Sequence, residues 1–238
     1  MSGVSDAVEI LAGAGPVVLT CEHASVRMPS PWAWPDADRW LVGTHWSYDL
    51  GVADLVRDLA AKTGWPAVLS RFTRLLADPN RPEDHVDLFR THAEGRPIHL
   101  NAGLPEDEIA RRLDRLWRPY HAAVDEVVAA SPGAMILSIH SFTPVYEGKR
   151  RTLEVGVLFD EDEDLARAIA RDLADEGIHV RLNEPWSGKE GLIYAPERHA
   201  NAHDRATIEL ELRQDLLMDA GFVERMVGLV AEIVPRHL

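Results

Sequence analysis

Residues 135–141 read Met-Ile-Leu-Ser-Ile-His-Ser, a short apolar run followed by a histidine and a serine. A run of this length, rich in large apolar side chains, is typical of a strand that is buried within a sheet. It predicts a strand over residues 135–139. Similar short runs elsewhere in the chain predict further strands over residues 16–20, 66–70, 153–159, 178–182 and 207–212.

Segments with helical periodicity separate these runs. Apolar residues over 49–62 fall on one helical stripe, and Gly64 is placed to end that helix. Further helices are predicted over residues 105–130, 164–176 and 214–234. Alternation of this kind requires crossover connections and favours a mostly parallel, twisted sheet covered by helices. The sequence thus predicts the α/β class, as one three-layer domain over residues 1–238 with long loops at 71–103 and 183–204.

The composition excludes several classes of protein. The chain has 238 residues, 46% of them hydrophobic, so it is not disordered. Its formal net charge of −14 argues against nucleic acids and anionic membranes as partners, since both would be repelled. A single cysteine, Cys21, excludes a disulfide framework and a thiolate zinc cluster. The chain has no apolar run of membrane-spanning length and no basic region at its start, so we expect a soluble cytoplasmic protein.

Two histidines follow predicted strands. His23 comes after the strand over 16–20 and His140 after the strand over 135–139, and Asp49 opens the first predicted helix. Ligands of such sheets bind outside the carboxyl ends of the strands, so these side chains are expected at one edge. Two imidazoles and one carboxylate form the ligand set of a catalytic zinc site. The alternatives are structural histidines and an aspartate that only caps its helix.

Residues 207–213 place two carboxylates on one strand. Because side chains alternate along a strand, Glu209, Glu211 and Arg213 share one face. One interpretation is an edge strand with a solvated acidic face, and the other is a general base at the strand end. A glycosidase pair is disfavoured, because its two carboxyl groups flank a sugar from opposite sides.

The loop over 71–103 contains the stretch Asp-Pro-Asn-Arg-Pro at residues 78–82. Its prolines stiffen the backbone around Asn80 and Arg81, which suits Arg81 to a bidentate grip on a carboxylate. Arg71 adds positive charge just upstream, and together they point to a small anionic substrate. The alternative is an ordinary surface turn. The second loop, which includes His203, is either a lid over the site or a surface connection.

Taken in order, these residues resemble the motifs of the N-formylglutamate amidohydrolase family. The resemblance spans residues 16–218, and the matching positions are residues 21–25, Asp49, residues 78–82, residues 138–141 and Glu211. The first motif reads Glu-His-Ala-Ser here, where the family has Pro-His-Ser-Gly. A wider similarity to zinc-dependent carboxypeptidases and cell-wall amidases implies a zinc exopeptidase-like fold of the phosphorylase/hydrolase-like type.

The resemblance implies a metal centre. Zn²⁺, or another divalent ion, would be held by His23, Asp49 and His140. Glu22 is the competing carboxylate ligand, but adjacent strand residues face opposite ways, so Asp49 is preferred to a glutamate next to His23.

The resemblance also implies the remaining roles. Glu211 would be the general base, with Glu209 as the alternative. Arg81 and Asn80, with Arg71, would bind a substrate carboxylate.

We therefore expect a metal-dependent amidohydrolase that cleaves a small anionic N-acyl amino acid such as N-formylglutamate. Two alternatives remain: a peptidoglycan-type amidase or carboxypeptidase with the same metal chemistry, and a non-catalytic small-ligand-binding protein on this fold. Neither nucleic acid nor a membrane is an expected partner, and the sequence leaves formation of a homo-oligomer open.

Overall fold

The strands and helices below come from a computed structural model, which describes residues 3–146 and 148–238. The strands are β1 (Gly3–Val4), β2 (Val8–Leu11), β3 (Val17–Cys21), β4 (Ala67–Ser70), β5 (His92–Ala93), β6 (Arg96–Pro97), β7 (Met135–Phe142), β8 (Val145–Tyr146), β9 (Lys149–Arg150), β10 (Val155–Leu158), β11 (Val180–Leu182) and β12 (Thr207–Arg213). The helices are α1 (Val52–Thr63), α2 (Glu106–Arg112), α3 (Arg118–Ala129), α4 (Glu163–Asp175), α5 (Tyr194–His203) and α6 (Ala220–Ile233).

Eight of these strands form one sheet in the order β1-β2-β4-β3-β7-β12-β10-β11. The four central strands, β4, β3, β7 and β12, are parallel to one another. β2 and β10 flank them in the antiparallel direction, and β11 is parallel to β10. The expected α/β class with a mostly parallel central sheet is confirmed. The remaining strands form two small hairpins, β5-β6 and β8-β9.

Helices cover both faces of the sheet, which gives three layers in one domain. The helices α1, α4 and α6 pack on one face, where Leu19, Leu137 and Leu210 belong to the larger core. The helices α3 and α5 pack on the other face, where Val18 and Ile136 belong to a second core. Burial of these apolar side chains is the main force that stabilises the layers.

The face under α3 and α5 changes from apolar to polar along the strands. On β7, Ile136 is followed on the same face by Ser138 and His140, and all three are buried. On β12 the same face carries Glu209 and Glu211, which are also buried. Since β7 and β12 are parallel, these polar groups meet at the carboxyl ends of both strands.

Two predicted boundaries differ from the structure near the site. β7 continues to Phe142, so His140 lies inside the strand rather than after it. The first helix begins at Val52 and is capped by Gly51, so Asp49 lies in the turn before the helix and does not cap it. Gly51 has a φ of 82°, and a Cβ there would lie 2.5 Å from Leu217, so only glycine fits this turn.

Two further expectations are corrected elsewhere in the chain. The predicted loop over 183–204 contains α5, whose Pro196 lies in the first turn, where no intrahelical N–H bond is lost. Residues 3–11, for which we predicted no strand, form the antiparallel β1-β2 edge of the sheet. Among the described residues, no helix is both long enough and apolar enough to cross a membrane.

Candidate active site

A cavity of about 430 Å³ opens at the carboxyl ends of the central strands. Seven of the residues singled out from the sequence line it: His23, Asp49, Asn80, Arg81, His140, Glu209 and Glu211. Residues that are more than a hundred positions apart in the chain are thus brought to one place by the parallel sheet.

Two imidazole rings face one carboxylate in this cavity. Asp49 Oδ2 lies 2.9 Å from Nδ1 of His140 and 3.6 Å from Nδ1 of His23. The rings are perpendicular, with centroids 4.7 Å apart. One ligand atom from each of the three residues lies within 4.8 Å of the other two. The backbone supports this placement, because the N–H of Asp49 donates to the carbonyl of His23 at 2.9 Å.

The far nitrogen of each ring is held by a second carboxylate. His23 Nε2 lies 2.7 Å from Asp78 Oδ1, and His140 Nε2 lies 2.9 Å from Glu22 Oε2. A carboxylate at Nε2 favours a proton there, which leaves the lone pair of a neutral ring on Nδ1. Nδ1 of each ring faces Asp49, so a cation bound to this carboxylate would take both lone pairs.

These three residues fit a divalent cation. Nδ1 of His23 is buried and has no hydrogen-bond partner among the residues that the structure describes. An imidazole nitrogen left in that state is costly unless something binds it. Two histidine nitrogens and a carboxylate oxygen suit Zn²⁺ and leave a coordination position for water or substrate.

Glu22 lies behind His140 rather than in competition with Asp49. Its carboxylate accepts hydrogen bonds from Tyr120 at 2.9 Å and Ser138 at 2.7 Å, besides the one from His140. Burial alone would raise the pKa of Glu22, but these bonds lower it to about 2. The structure therefore places Glu22 as the group that orients His140, and its interpretation as the metal ligand is not supported by its position.

Asp78 holds His23 in the same way, and sequence reasoning did not assign it that role. Burial raises the pKa of Asp78, but Arg74 and His23 hold it well below its usual range. Arg74 donates to Asp78 Oδ2 from Nε at 3.0 Å and from Nη2 at 2.6 Å. The signal was present, because the Asp-Pro-Asn-Arg-Pro stretch begins with this aspartate.

The two glutamates of β12 lie beside the histidines but at different positions. Glu211 pairs with His140 in the strand register. Glu209 pairs with Ser138, two residues farther from the carboxyl end of β7. Oε2 of Glu209 is 3.4 Å from Nε2 of His140, on the side of the ring away from Asp49. Burial raises the pKa of Glu211 to about 8 and the pKa of Glu209 well above its usual value, although His140 opposes both shifts.

Asn80 and Arg81 both line the cavity, with different contacts. The buried Asn80 amide donates to the carbonyl of Leu192 at 3.1 Å and accepts from the N–H of Ala195 at 2.9 Å. Asn80 thus ties its loop to the start of α5. Arg81 is half-buried, and its Nη1 donates to the backbone carbonyl of Asn80 at 2.8 Å.

Two predicted residues lie away from the cavity. The Arg71 guanidinium donates to the carbonyl of Ser5, so it anchors the N-terminal hairpin. His203 lies at the end of α5, with Nε2 3.1 Å from Asp125 Oδ1. The structure therefore does not bring either residue to the site. Two other residues of the predicted loop over 183–204, Trp186 and Leu192, do form part of the cavity wall.

Comparison with known proteins gives a consistent result. A model of the N-formylglutamate amidohydrolase family matches residues 15–218. The N-formylglutamate deformylase of Pseudomonas putida is 28% identical, over 87% of this chain and 83% of that protein. The N-formylglutamate deformylase of Pseudomonas aeruginosa is 29% identical, over 68% of each chain.

Solved structures show the same fold. A crystal structure of a gene product from Agrobacterium tumefaciens has a TM-score of 0.91 and 30% identity, covering 98% of this chain and 95% of that one. The N-formylglutamate amidohydrolase of Ralstonia eutropha JMP134 has a TM-score of 0.69 and 21% identity, covering 98% and 100%, so this similarity is one of fold. Because the family model matches most of its length, the chain belongs to the N-formylglutamate amidohydrolase family.

Proposed function

We propose that the protein is a metal-dependent amidohydrolase that cleaves the amide bond of N-formylglutamate or a closely related N-acyl amino acid. Its family membership supports the substrate class. The observation that carries the proposal is the orientation of the two histidines. Their Nε2 atoms are held by Asp78 and Glu22, and their Nδ1 atoms converge on Asp49.

In this proposal His23, Asp49 and His140 hold the metal, with Zn²⁺ as the ion that suits them. Such an ion would polarise the scissile carbonyl and make a water molecule acidic enough to react near neutral pH. Asp78 and Glu22 keep the two rings in the tautomer and orientation that this requires.

Glu211 is the proposed general base. It accepts a proton from the attacking water and passes it to the leaving nitrogen, while a C–O bond forms and the C–N bond breaks. With N-formylglutamate the products are formate and glutamate. Glu211 lines the cavity and pairs with His140 in the strand register, which places its carboxylate beside the proposed metal ligands. Glu209 lies deeper in the strand and on the far side of His140, so it is not the proposed base.

Arg81 is proposed to bind a substrate carboxylate, and Asn80 to position the loop that carries it. A guanidinium fork matches a carboxylate with two parallel hydrogen bonds and so orients the amide toward the metal. Nη1 of Arg81 is held by the Asn80 carbonyl, and Asn80 in turn is held by the backbone at Leu192 and Ala195.

The test combines metal analysis with turnover. The protein, as purified and after reconstitution with Zn²⁺, is assayed with N-formylglutamate alongside its Glu211→Gln and Glu209→Gln variants. We expect bound metal in all three proteins. Loss of the general base should reduce kcat by about 10²–10⁴-fold in Glu211→Gln and by much less in Glu209→Gln.

Other results of these measurements would lead to different conclusions. A collapse of turnover in Glu209→Gln alone would exchange the roles of the two glutamates. Absence of metal after reconstitution would favour the small-ligand-binding alternative. Metal with turnover only on peptidoglycan amides would favour the amidase alternative.

A further inference from the structure

Four arginines line the cavity, and they differ in their partners. Arg74 is paired with Asp78 at 2.6 Å, and Arg90 with Asp87 at 3.4 Å. Arg81 and Arg151 also line the cavity, but neither has a carboxylate within salt-bridge distance among residues 3–146 and 148–238. Glu211 acts on Arg151 and Arg81 acts on Asp78 only from beyond ion-pair distance, so each of these two half-buried guanidinium groups is suited to an anionic ligand.

Arg151 lies in a cage of aromatic rings. Its Cζ atom is 4.7 Å from the ring centre of Tyr146, 5.2 Å from Trp186 and 5.5 Å from Phe142. Among residues 3–146 and 148–238, its guanidinium group donates only from Nη1, to the carbonyl and hydroxyl oxygens of Thr143 at 3.3 Å each. Arginine carries five N–H donors, so most of them are left for a ligand.

The cage is held in place by an aromatic contact and by hydrogen bonds to the Asn183 side chain. Tyr146 meets Trp186 edge to face, with centroids 5.6 Å apart. The segment that carries Trp186 is fixed by Asn183, whose side chain accepts from the N–H groups of Phe159 and Gly188 at 3.0 and 3.1 Å. Stacked guanidinium groups lose little freedom on binding, so this arginine is preorganised for a carboxylate.

We propose that Arg151 binds the side-chain carboxylate of the substrate, while Arg81 binds the carboxylate next to the scissile amide. The inference rests on the proposed function and deepens it. N-formylglutamate carries two carboxylates, and the cavity carries two guanidinium groups that form no ion pair with any residue that the structure describes. Arg81 lies on the loop that also carries Asp78, the partner of His23, so it belongs to the metal side of the cavity. Arg151 follows the β8-β9 hairpin, on a different segment from Arg81, and is assigned the second carboxylate. The pair selects acidic N-acyl amino acids over neutral ones.

The first experiment compares two substrates that differ only in the side-chain charge. We expect the wild-type protein to prefer N-formylglutamate to N-formylglutamine by roughly 10- to 100-fold in kcat/KM, because charge-assisted hydrogen bonds are lost with the amide. Arg151→Gln should remove most of this preference by raising KM for N-formylglutamate, with little change for N-formylglutamine. Arg151→Lys keeps the charge without the planar fork and should retain part of the preference.

Arg90→Gln is the matched control, because it removes the same charge from the same cavity at an arginine that already has a carboxylate partner. This variant should change kcat/KM for N-formylglutamate and for N-formylglutamine by the same small factor. If Arg151→Gln instead lowers kcat/KM equally for both substrates, or if the wild type does not distinguish them, the assignment of Arg151 is wrong.

A binding measurement separates this inference from the proposed function. Glutarate carries the two carboxylates of glutamate without the amine, and glutaramate has one of them amidated. Calorimetry should show tighter binding of glutarate to the wild-type protein, and the difference should be lost in Arg151→Gln. Binding of this kind without turnover of any N-formyl amino acid would support the dicarboxylate site and overturn the hydrolase. Turnover with equal binding of both ligands would support the hydrolase and overturn the role of Arg151.

Discussion

The protein contains two groups of buried histidines that look alike in composition and differ in geometry. At the cavity, His23 and His140 meet Asp49, and each far nitrogen is held by its own carboxylate. Between α3 and α5, His121 and His199 are equally buried and lie near Asp125. Only the first group has the geometry of a metal site among the described residues.

Each group contains one buried nitrogen without a hydrogen-bond partner among the described residues, Nδ1 of His23 and Nε2 of His121, so the difference lies in how the nitrogens are arranged. In the α3–α5 group the rings bond each other, with His121 Nδ1 2.8 Å from His199 Nε2, and His199 Nδ1 is 2.7 Å from Asp125 Oδ1. Both nitrogens of His199 are therefore engaged in a chain that ends at a half-exposed carboxylate. At the cavity, the outer carboxylates leave two Nδ1 atoms facing one oxygen. A buried histidine is thus informative about function only when its free nitrogen converges with others.

The largest expected effect is loss of metal from the cavity group. His23→Ala and His140→Ala should each lose most bound metal, and turnover should fall to background, because each removes one of three ligands. The matched control is His199→Asn, which should keep the metal content of the wild type. Metal content by elemental analysis is the measurement, and equal losses in the control would remove the distinction between the two groups.

The second effect concerns the carboxylates that hold the rings. Asp78→Asn and Glu22→Gln should weaken metal affinity by about 10–100-fold, because they no longer fix the tautomer and orientation of the ligand histidines. Asp125→Asn is the matched control, because Asp125 lies 2.7 Å from His199, the same distance that separates Asp78 from His23. This variant should leave metal affinity unaltered. Metal affinity from competition with a chelator measures all three variants, and unaltered affinity in the first two would contradict the proposed roles.

The third effect is a pH dependence that belongs to the α3–α5 group. Burial lowers the pKa of His121 from 6.5 to about 3. Between these values the unfolded chain binds a proton that the folded protein does not, so this contribution to stability is present above pH 6.5 and is lost as the pH falls toward 3. One such group changes the free energy of unfolding by about 1.4 kcal/mol per pH unit.

Replacing His121 should make the free energy of unfolding less dependent on pH. We expect His121→Asn to be less stable at pH 7 but to show a shallower fall in the free energy of unfolding between pH 6 and pH 4 than the wild type. Denaturant unfolding at several pH values measures this. Parallel pH profiles for the two proteins would show that His121 is not the group responsible.

The smallest effect is expected at His203. Its ring and its partner Asp125 are both half-buried, so His203→Asn should change the free energy of unfolding by less than about 1 kcal/mol. It should leave both metal content and kcat/KM at wild-type values. A large loss of activity in this variant would restore His203 to the list of site residues.

Much of the fold follows from local patterns. The apolar run before His140 predicts its strand, and the alternation over 207–213 places Glu209 and Glu211 on one face, which the structure shows to be buried. These features depend on residues only a few positions apart, which is why the sequence determines them. The same local signal is weak for α5 and for the β1-β2 edge, where tertiary packing stabilises segments with little periodicity of their own.

The partners of the candidate site residues were decided by the tertiary structure. The contact between Glu22 and His140 joins positions 118 apart, and the one between His23 and Asp78 joins positions 55 apart. The sequence alone predicts that two histidines, an aspartate and a glutamate lie near strand ends. It could not determine that Glu22 holds a ring, that Arg71 points away or that Arg151 lies among three aromatic rings. Those facts depend on the path of the chain between distant segments, and burial and charge act on the side chains only once that path has brought them together.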